Sequence, residues 1–255
     1  MRAPQDGDAG QVHSLSRPER FPRSSRYDPD WVLGLDMGPH PLWQLEDLLP
    51  DLRLHSGDRV LDLGCGRGAT AVFLAREAGV AVTAFDRWVD ETDLRAVVHA
   101  AGLSDQVSVS VGDVRQLPFG DAEFDAIVSV DAFEYFGTDV HLLPALLRVL
   151  KPGGRIAIST PALRVDPYVQ APPAQVSALV GWEAGAWHAP EWWERHWMLT
   201  GLVEDVKARM QPGSRHDWLL WARVTGAAVD DPVLRMLTSL GTDDIGFALL
   251  SARKT

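Results

Sequence analysis

Apolar and polar positions divide the chain into stretches of different character. Residues 1–30 hold many Pro, Arg, Ser, Asp and Gly and few large apolar side chains. Such a segment cannot bury enough surface to offset its ordering entropy, which predicts a mobile tail and an ordered structure starting near Trp31. Residues 40–49 then carry apolar positions at helical spacing, with Pro50 as the predicted stop. From Asp58 the pattern becomes strand, turn, helix, repeated. Strands are predicted at 59–63, 80–85, 106–111, 124–130 and 155–159, with helices at 69–78, 94–101 and 140–150 between them. The run at 124–130 is almost wholly apolar, as a strand buried on both faces requires. Alternating strands and helices predict an α/β fold with a parallel, doubly wound, Rossmann-like sheet in one domain, residues 31–255.

The pattern changes after Pro161. Residues 162–200 contain Pro167, Pro172 and Pro173 and five tryptophans, Trp182, Trp187, Trp192, Trp193 and Trp197. This reads as a helical, aromatic-rich insertion after the fifth strand, placed over the sheet as a substrate cap. Residues 202–210 and 247–252 supply two final strands, with 218–224 helical between them. The sheet then has about seven strands.

Composition narrows the chemistry. The 255 residues are 46% hydrophobic, enough for a sizeable core. A formal net charge of −11 repels phosphate backbones and weighs against a nucleic-acid partner. The single cysteine, Cys65, excludes an internal disulfide, a multi-cysteine metal site and a thiolate-held iron–sulfur cluster. No apolar run approaches the ~20 residues that span a bilayer, and the N-terminus lacks the apolar core of a signal peptide. A soluble cytoplasmic protein is expected, with no membrane partner; the oligomeric state is open.

The sharpest local signal is Val60-Leu61-Asp62-Leu63-Gly64-Cys65-Gly66-Arg67-Gly68-Ala69-Thr70, between a strand and a helix. Glycines there allow a sharp turn and close approach to a ligand at the carboxyl edge of a parallel sheet. A dinucleotide site uses a similar loop. Asp62, two residues before the first glycine, would repel a pyrophosphate but suits a cationic methionine moiety. Asp86 closes the second strand, 18 residues after Gly68. A carboxylate there can accept hydrogen bonds from two vicinal ribose hydroxyls.

The sequence resembles class I S-adenosylmethionine-dependent methyltransferases, in particular the bacterial small-molecule group related to quinone-biosynthesis enzymes (types 11 and 25). Residues 62–68 match the first motif of that family and Asp86 its ribose-binding acid. Gly112-Asp113-Val114 matches the adenine-contacting motif, Leu117-Pro118-Phe119 and the 124–129 run the approach to the fourth strand, and Leu150-Lys151-Pro152-Gly153-Gly154-Arg155 the turn before the fifth. The resemblance covers residues 58–160 and implies an antiparallel last strand, with S-adenosyl-L-methionine as cofactor. The cofactor-binding set is then Asp62, Gly64, Cys65, Gly66, Gly68, Asp86, Arg87, Asp113, Val114 and Ser129, with Asp113 accepting from the adenine amino group.

The acceptor is expected over the end of the fourth strand, near Asp131, Phe133, Glu134, Tyr135 and Phe136. Asp131 or Glu134 can serve as base or hold an amine; an ordinary solvated acid in a loop is the competing explanation. His188 is a third catalytic candidate because imidazole titrates near neutrality, and His196 is a weaker one; His40, at the start of the leading helix, is either a residue that closes over the cofactor or a helix-start residue without function. The tryptophans recur at nearly helical spacing, so core packing competes with an aromatic lid. No Asn-Pro-Pro-Tyr follows the fourth strand, no Pro-Cys nucleophile exists, and Thr160-Pro161-Ala162 lacks the Asp-Asn pair of magnesium-dependent enzymes, so no metal is expected. Expected activity is methyl transfer to O, N or C of a small molecule. Cyclisation or aminocarboxypropyl transfer from the same cofactor, and cofactor sensing without turnover, are the rival readings.

Overall fold

A computed structural model describes residues 12–225, 231–241 and 244–255. Helices α1 (Pro29–Gly34) and α2 (Pro41–Leu52) precede the alternating region. There follow β1 (Arg59–Leu63), α3 (Ala69–Ala78), β2 (Ala81–Asp86), α4 (Glu91–Ala100), β3 (Val107–Val111), β4 (Phe124–Val130), α5 (Leu142–Val149) and β5 (Leu150–Leu163). The chain continues through α6 (Ala174–Val180), α7 (Pro190–Met198), β6 (Val203–Met210), α8 (Ser214–Val224), α9 (Pro232–Ser239) and β7 (Ile245–Lys254).

The described strands form one seven-stranded sheet in the order β3-β2-β1-β4-β5-β7-β6. Strands β1 to β5 run parallel, and β7 is antiparallel to both β5 and β6, as the family resemblance implied. The order reverses between β1 and β4, and there the connections leave in opposite directions and open a crevice at the carboxyl ends. Helices α2, α3 and α4 cover one face, where Leu45, Leu48, Val72, Phe73, Leu94 and Val98 are buried. Helices α5 and α7 cover the other, around Leu146, Phe133, Trp193 and Trp197. A smaller cluster joins α6, α8 and α9 around Val176, Trp218 and Met236.

Local chemistry sets the helix ends. Asp90 accepts from the N–H groups of Thr92 and Asp93 at the start of α4, satisfying donors that have no partner inside the helix. Gly79 ends α3 in the left-handed region, its N–H reaching Ala75 O at 3.1 Å.

Several expectations need correction. The tail predicted to run to Asp30 is packed over its described part. Phe21 is fully buried and stacks on Trp43 at 5.2 Å, and Leu15 and Tyr27 are buried too. Arg20 pairs with Asp47 and Arg17 with Asp217. A few well-spaced aromatic and aliphatic anchors suffice because partners on α2, α3 and α8 supply the missing apolar surface. Residues 1–11 of that expectation lie outside the described residues. Helix α2 passes Pro50 and ends at Leu52, with Arg53 in the left-handed region. A proline so close to a helix end forfeits only one hydrogen bond. Strand β5 is far longer than 155–159, because β7 pairs with it from Arg155 to Leu163.

The region read as a cap is divided. Residues 162–163 belong to β5, while α7 is an ordinary crossover helix packed on β6, with Trp193 and Trp197 in the core. Core packing, rather than a lid, explains those two tryptophans. Trp182, by contrast, is 88% exposed. Helix α9, opened by the Asp231 cap and Pro232, is absent from the predicted elements.

Candidate active site

The glycine loop follows β1 and turns back under the end of β2. Phe85 O accepts from the N–H groups of Gly64 (2.8 Å) and Cys65 (3.2 Å). Gly64 has φ of +74°, and a Cβ there would drive into Ala132 Cβ and lie 3.3 Å from Phe136 Cζ. The loop is thus pressed against the segment after β4, and only glycine fits. Gly68, with φ of +92°, opens α3 and would place a Cβ 2.6 Å from Leu94 Cδ1.

Asp86 is the centre of the arrangement. Its Oδ2 accepts from Gly66 N–H at 2.9 Å and its Oδ1 from Trp88 N–H at 2.7 Å. Each oxygen keeps a second lone pair. Two adjoining cavities meet at this carboxylate. One of about 530 Å³ is lined by Phe85, Arg87, Gly112, Asp113, Val114 and Phe136. The other, of about 650 Å³, is lined by Met37, Gly38, Gly66, Thr70, Asp131 and others. Gly64, Asp86, Trp88, Ala132 and Tyr135 border both. In the first cavity Asp113 Oδ2 accepts from Arg87 Nη1 at 2.7 Å and its Oδ1 from Arg115 N–H at 2.9 Å.

The segment between α1 and α2 closes the second cavity from above, with Leu35, Met37, Gly38 and Pro39 in its wall. Asp36 Oδ1 fixes this strap, accepting from Gly38 N–H (3.0 Å) and Trp221 Nε1 (3.3 Å). Gly38 lies so close to Asp131 that a Cβ would clash with its carboxylate. This wall was invisible to the sequence reading, which gave no structure before Trp31 and left residues 35–39 unassigned.

Not every predicted cofactor residue reaches a cavity. Asp62 is fully buried beneath the loop, where its Oδ2 accepts from Thr70 Oγ1 at 2.6 Å and its Oδ1 has no partner. Burial, opposed by the Thr70 hydrogen bond and reinforced by Asp86, pushes its carboxyl up to about 7. Gly68 and Ser129 also lie outside both linings, Ser129 being wholly buried within β4. These three shape the loop and strand that carry the site. Cys65 lines the second cavity, and burial pushes its thiol up.

The catalytic candidates separate into two places. Asp131, with φ of +52°, borders the second cavity directly after β4. Burial first, then the charge of Asp36, pushes its carboxyl up to about 7. Glu134 sits in a 3-10 turn, Phe133–Tyr135, and accepts from Thr160 Oγ1 at 3.2 Å. Burial and then Asp131 raise its carboxyl well above the usual range. His188 lies apart. Its ring is fully buried, stacked on Trp192 at 3.5 Å, with Nδ1 2.9 Å from Asp166 Oδ2 and Nε2 without a partner. Burial lowers its basicity against the pull of Asp166. It lines neither cavity. His40 caps α2 through Trp43 N–H at 3.3 Å, and burial lowers its imidazole to about 3. His196 stacks on Trp192 at 4.6 Å. Trp88 was not singled out from sequence, although it directly follows the Asp86-Arg87 pair that was.

A family model described as a methyltransferase domain matches residues 60–154. Over that stretch the chain is similar to a methyltransferase domain. It is 34% identical over 120 residues to methyltransferase GfsG of Streptomyces halstedii, covering 47% of this chain and 43% of that protein. It is 26% identical to 27-O-demethylrifamycin SV methyltransferase of Amycolatopsis mediterranei over 83% of this chain and 81% of that one. The chain therefore spans less than half of the first relative and four-fifths of the second. Geranyl diphosphate C-methyltransferase from Streptomyces coelicolor A3(2), solved with Mg2+, geranyl-S-thiolodiphosphate and S-adenosyl-L-homocysteine, shares the fold with a TM-score of 0.68. Identity there is 18%, and all of both chains is covered. Among the described residues no helix is long and apolar enough to cross a membrane, and no group of three or more His, Cys, Asp or Glu could hold a metal ion.

Proposed function

We propose that this chain transfers the methyl group of S-adenosyl-L-methionine to a small-molecule acceptor. The observation that carries this reading is the Asp86 carboxylate, oriented by two backbone N–H groups where the two cavities join. A nucleoside fits the first cavity, with its ribose hydroxyls at Asp86 and its base between Phe85, Val114 and Asp113. The amino-acid portion fits along Gly64 and Gly66 in the second. The bound cofactor supplies an electrophilic methyl group on a sulfonium centre. The protein's share of the work is placement: the loop, the strap and Tyr135 enclose the reacting atoms, and alignment in a closed site lowers the barrier. Asp131, at the border of the second cavity, is the group we assign to take a proton from the acceptor, while Glu134 lines neither cavity.

His188, buried behind Trp192 and tied to Asp166, is a less suitable base on this reading. The acidic chain, with net charge −11, supports a small acceptor rather than a nucleic acid. We also place the reaction in the cytoplasm, in keeping with the single buried free cysteine.

Titration calorimetry with S-adenosyl-L-homocysteine, followed by incubation with methyl-labelled S-adenosylmethionine and a host metabolite extract, tests the reading. Cofactor binding with label in a new small molecule supports it. Absence of cofactor binding overturns it. Accumulation of methylthioadenosine in place of S-adenosylhomocysteine would replace it with cyclisation or aminocarboxypropyl transfer.

A further inference from the structure

The wall over the second cavity is a short connection with little backbone support. Leu35, Met37, Gly38 and Pro39 line that cavity, and none of them borders the first. The N–H groups of Leu35 and Asp36 are tied to the carbonyls of Val32 and Leu33 in α1. Among the described residues, no backbone-to-backbone hydrogen bond includes Met37, Gly38 or Pro39. A connection of this kind samples several conformations unless side chains fix it.

One side chain reaches both of its ends. Trp221, on α8, donates from Nε1 to Asp36 Oδ1 at 3.3 Å, and the same oxygen accepts from Gly38 N–H at 3.0 Å. The Trp221 indole also meets the His40 ring edge to face at 4.8 Å, and His40 stacks on Trp43 at 4.0 Å and caps α2. Burial by itself does not impose a partner on an indole in this molecule. Trp221 is buried, but so are the Nε1 atoms of Trp43 and Trp193, and those have no partner. The wall held in this way lies close on the site. Met37 Sδ is 3.1 Å from the place a Cβ would take on Gly66, and Gly38 packs against the Asp131 carboxylate.

Resting on the methyl-transfer reading, we propose that Trp221 is a positioning residue that holds residues 36–39, through Asp36 and His40, as a closed wall over the amino-acid portion of the cofactor. The nucleoside portion, in a cavity the wall does not touch, binds without that help. Trp221 meets no cofactor atom on this reading; it acts by keeping one conformation of the wall populated before the ligand arrives. Where the wall is closed in only a fraction of molecules, apparent affinity falls by that fraction.

Calorimetric titration of the full chain with two ligands tests this. S-adenosylhomocysteine spans both cavities on that reading, and methylthioadenosine lacks the amino-acid portion. Trp221→Phe deletes the N–H donor and keeps an aromatic ring beside His40. It should weaken S-adenosylhomocysteine binding about fivefold or more, as a wall closed in a fifth of molecules requires. Methylthioadenosine should stay within about twofold of wild type, which a general loss of stability would not predict. Asp36→Ala removes the same bond from its other end, should give the same pattern, and decides the matter if Trp221→Phe does not fold. The double variant should bind S-adenosylhomocysteine about as well as the weaker single variant, because one bond is lost in all three. Unchanged S-adenosylhomocysteine affinity in the folded variants, equal losses for the two ligands, or losses that multiply in the double variant overturns the proposal. So does a wild-type protein that does not bind methylthioadenosine. Wild-type binding of S-adenosylhomocysteine in those cases leaves methyl transfer standing; its absence overturns the methyl-transfer reading itself.

Discussion

Replacing Gly64 by alanine tests the central geometric claim, that the glycine loop is pressed against the segment after β4. Two costs are separable. At φ of +74° an L-residue carries a left-handed strain of about 1–2 kcal/mol. The new methyl also enters the space of Ala132 Cβ and approaches Phe136 Cζ, and overpacking of this kind costs about 1–3 kcal/mol. Gly64→Ala should therefore lose about 2–5 kcal/mol of stability in urea unfolding. Gly57 is the internal control, because its φ is +89° yet a Cβ there meets nothing within 4 Å. Gly57→Ala should lose only the strain, about 1–2 kcal/mol. If the loop yields instead of the core, Gly64 moves from the junction of the cavities, and S-adenosylhomocysteine should bind at least tenfold weaker, about 1.4 kcal/mol. Gly57→Ala should leave that affinity unchanged. Equal stability losses in the two variants, with unchanged cofactor affinity in both, would refute the reasoning.

Three further outcomes are expected. Asp86→Ala should weaken S-adenosylhomocysteine binding by about 1–3 kcal/mol, through lost hydrogen bonds to a charged acceptor and a freed loop; unchanged calorimetric affinity would remove Asp86 from the site. Phe21→Ala should cost about 3–5 kcal/mol of stability if the N-terminal segment packs as described, and a loss under 1 kcal/mol in denaturant titration would return that segment to a mobile tail. Asp62 has a carboxyl raised to about 7 in the folded protein, so the folded state holds its proton more tightly than the unfolded chain. The associated stability is full below the unfolded value near 4 and is lost as pH rises towards 7. Urea midpoints should therefore fall between pH 5 and pH 8, and the slope should shrink in Asp62→Asn; an unchanged slope would show that Asp62 ionises freely.

The sequence by itself determined the sheet and its cofactor edge. The strand at 124–130 coincides with β4 and the run at 59–63 with β1, because a strand covered on both faces is largely apolar; the alternating stretch at 106–111 gives β3 within a residue, as suits a strand at the end of the sheet. The places of Gly64, Gly66, Asp86 and Asp113 at the borders of the two cavities were legible because they depend on local backbone geometry next to a strand end. Tertiary structure decided everything that depends on contacts between distant residues. Phe21 and Leu15 carry no periodic signal, and only Trp43 and its neighbours give them a place to be buried. The tryptophan-rich stretch reads alike whether it lids a site or fills a core; packing against β6 put Trp193 and Trp197 inside and left Trp182 in solvent. His188 and Asp131 both looked like bases in one dimension. Burial closed off the first behind Trp192, while the left-handed turn after β4 set the second at the edge of a cavity, and a residue's reach to a reacting atom is fixed by three-dimensional placement that residue identity does not encode.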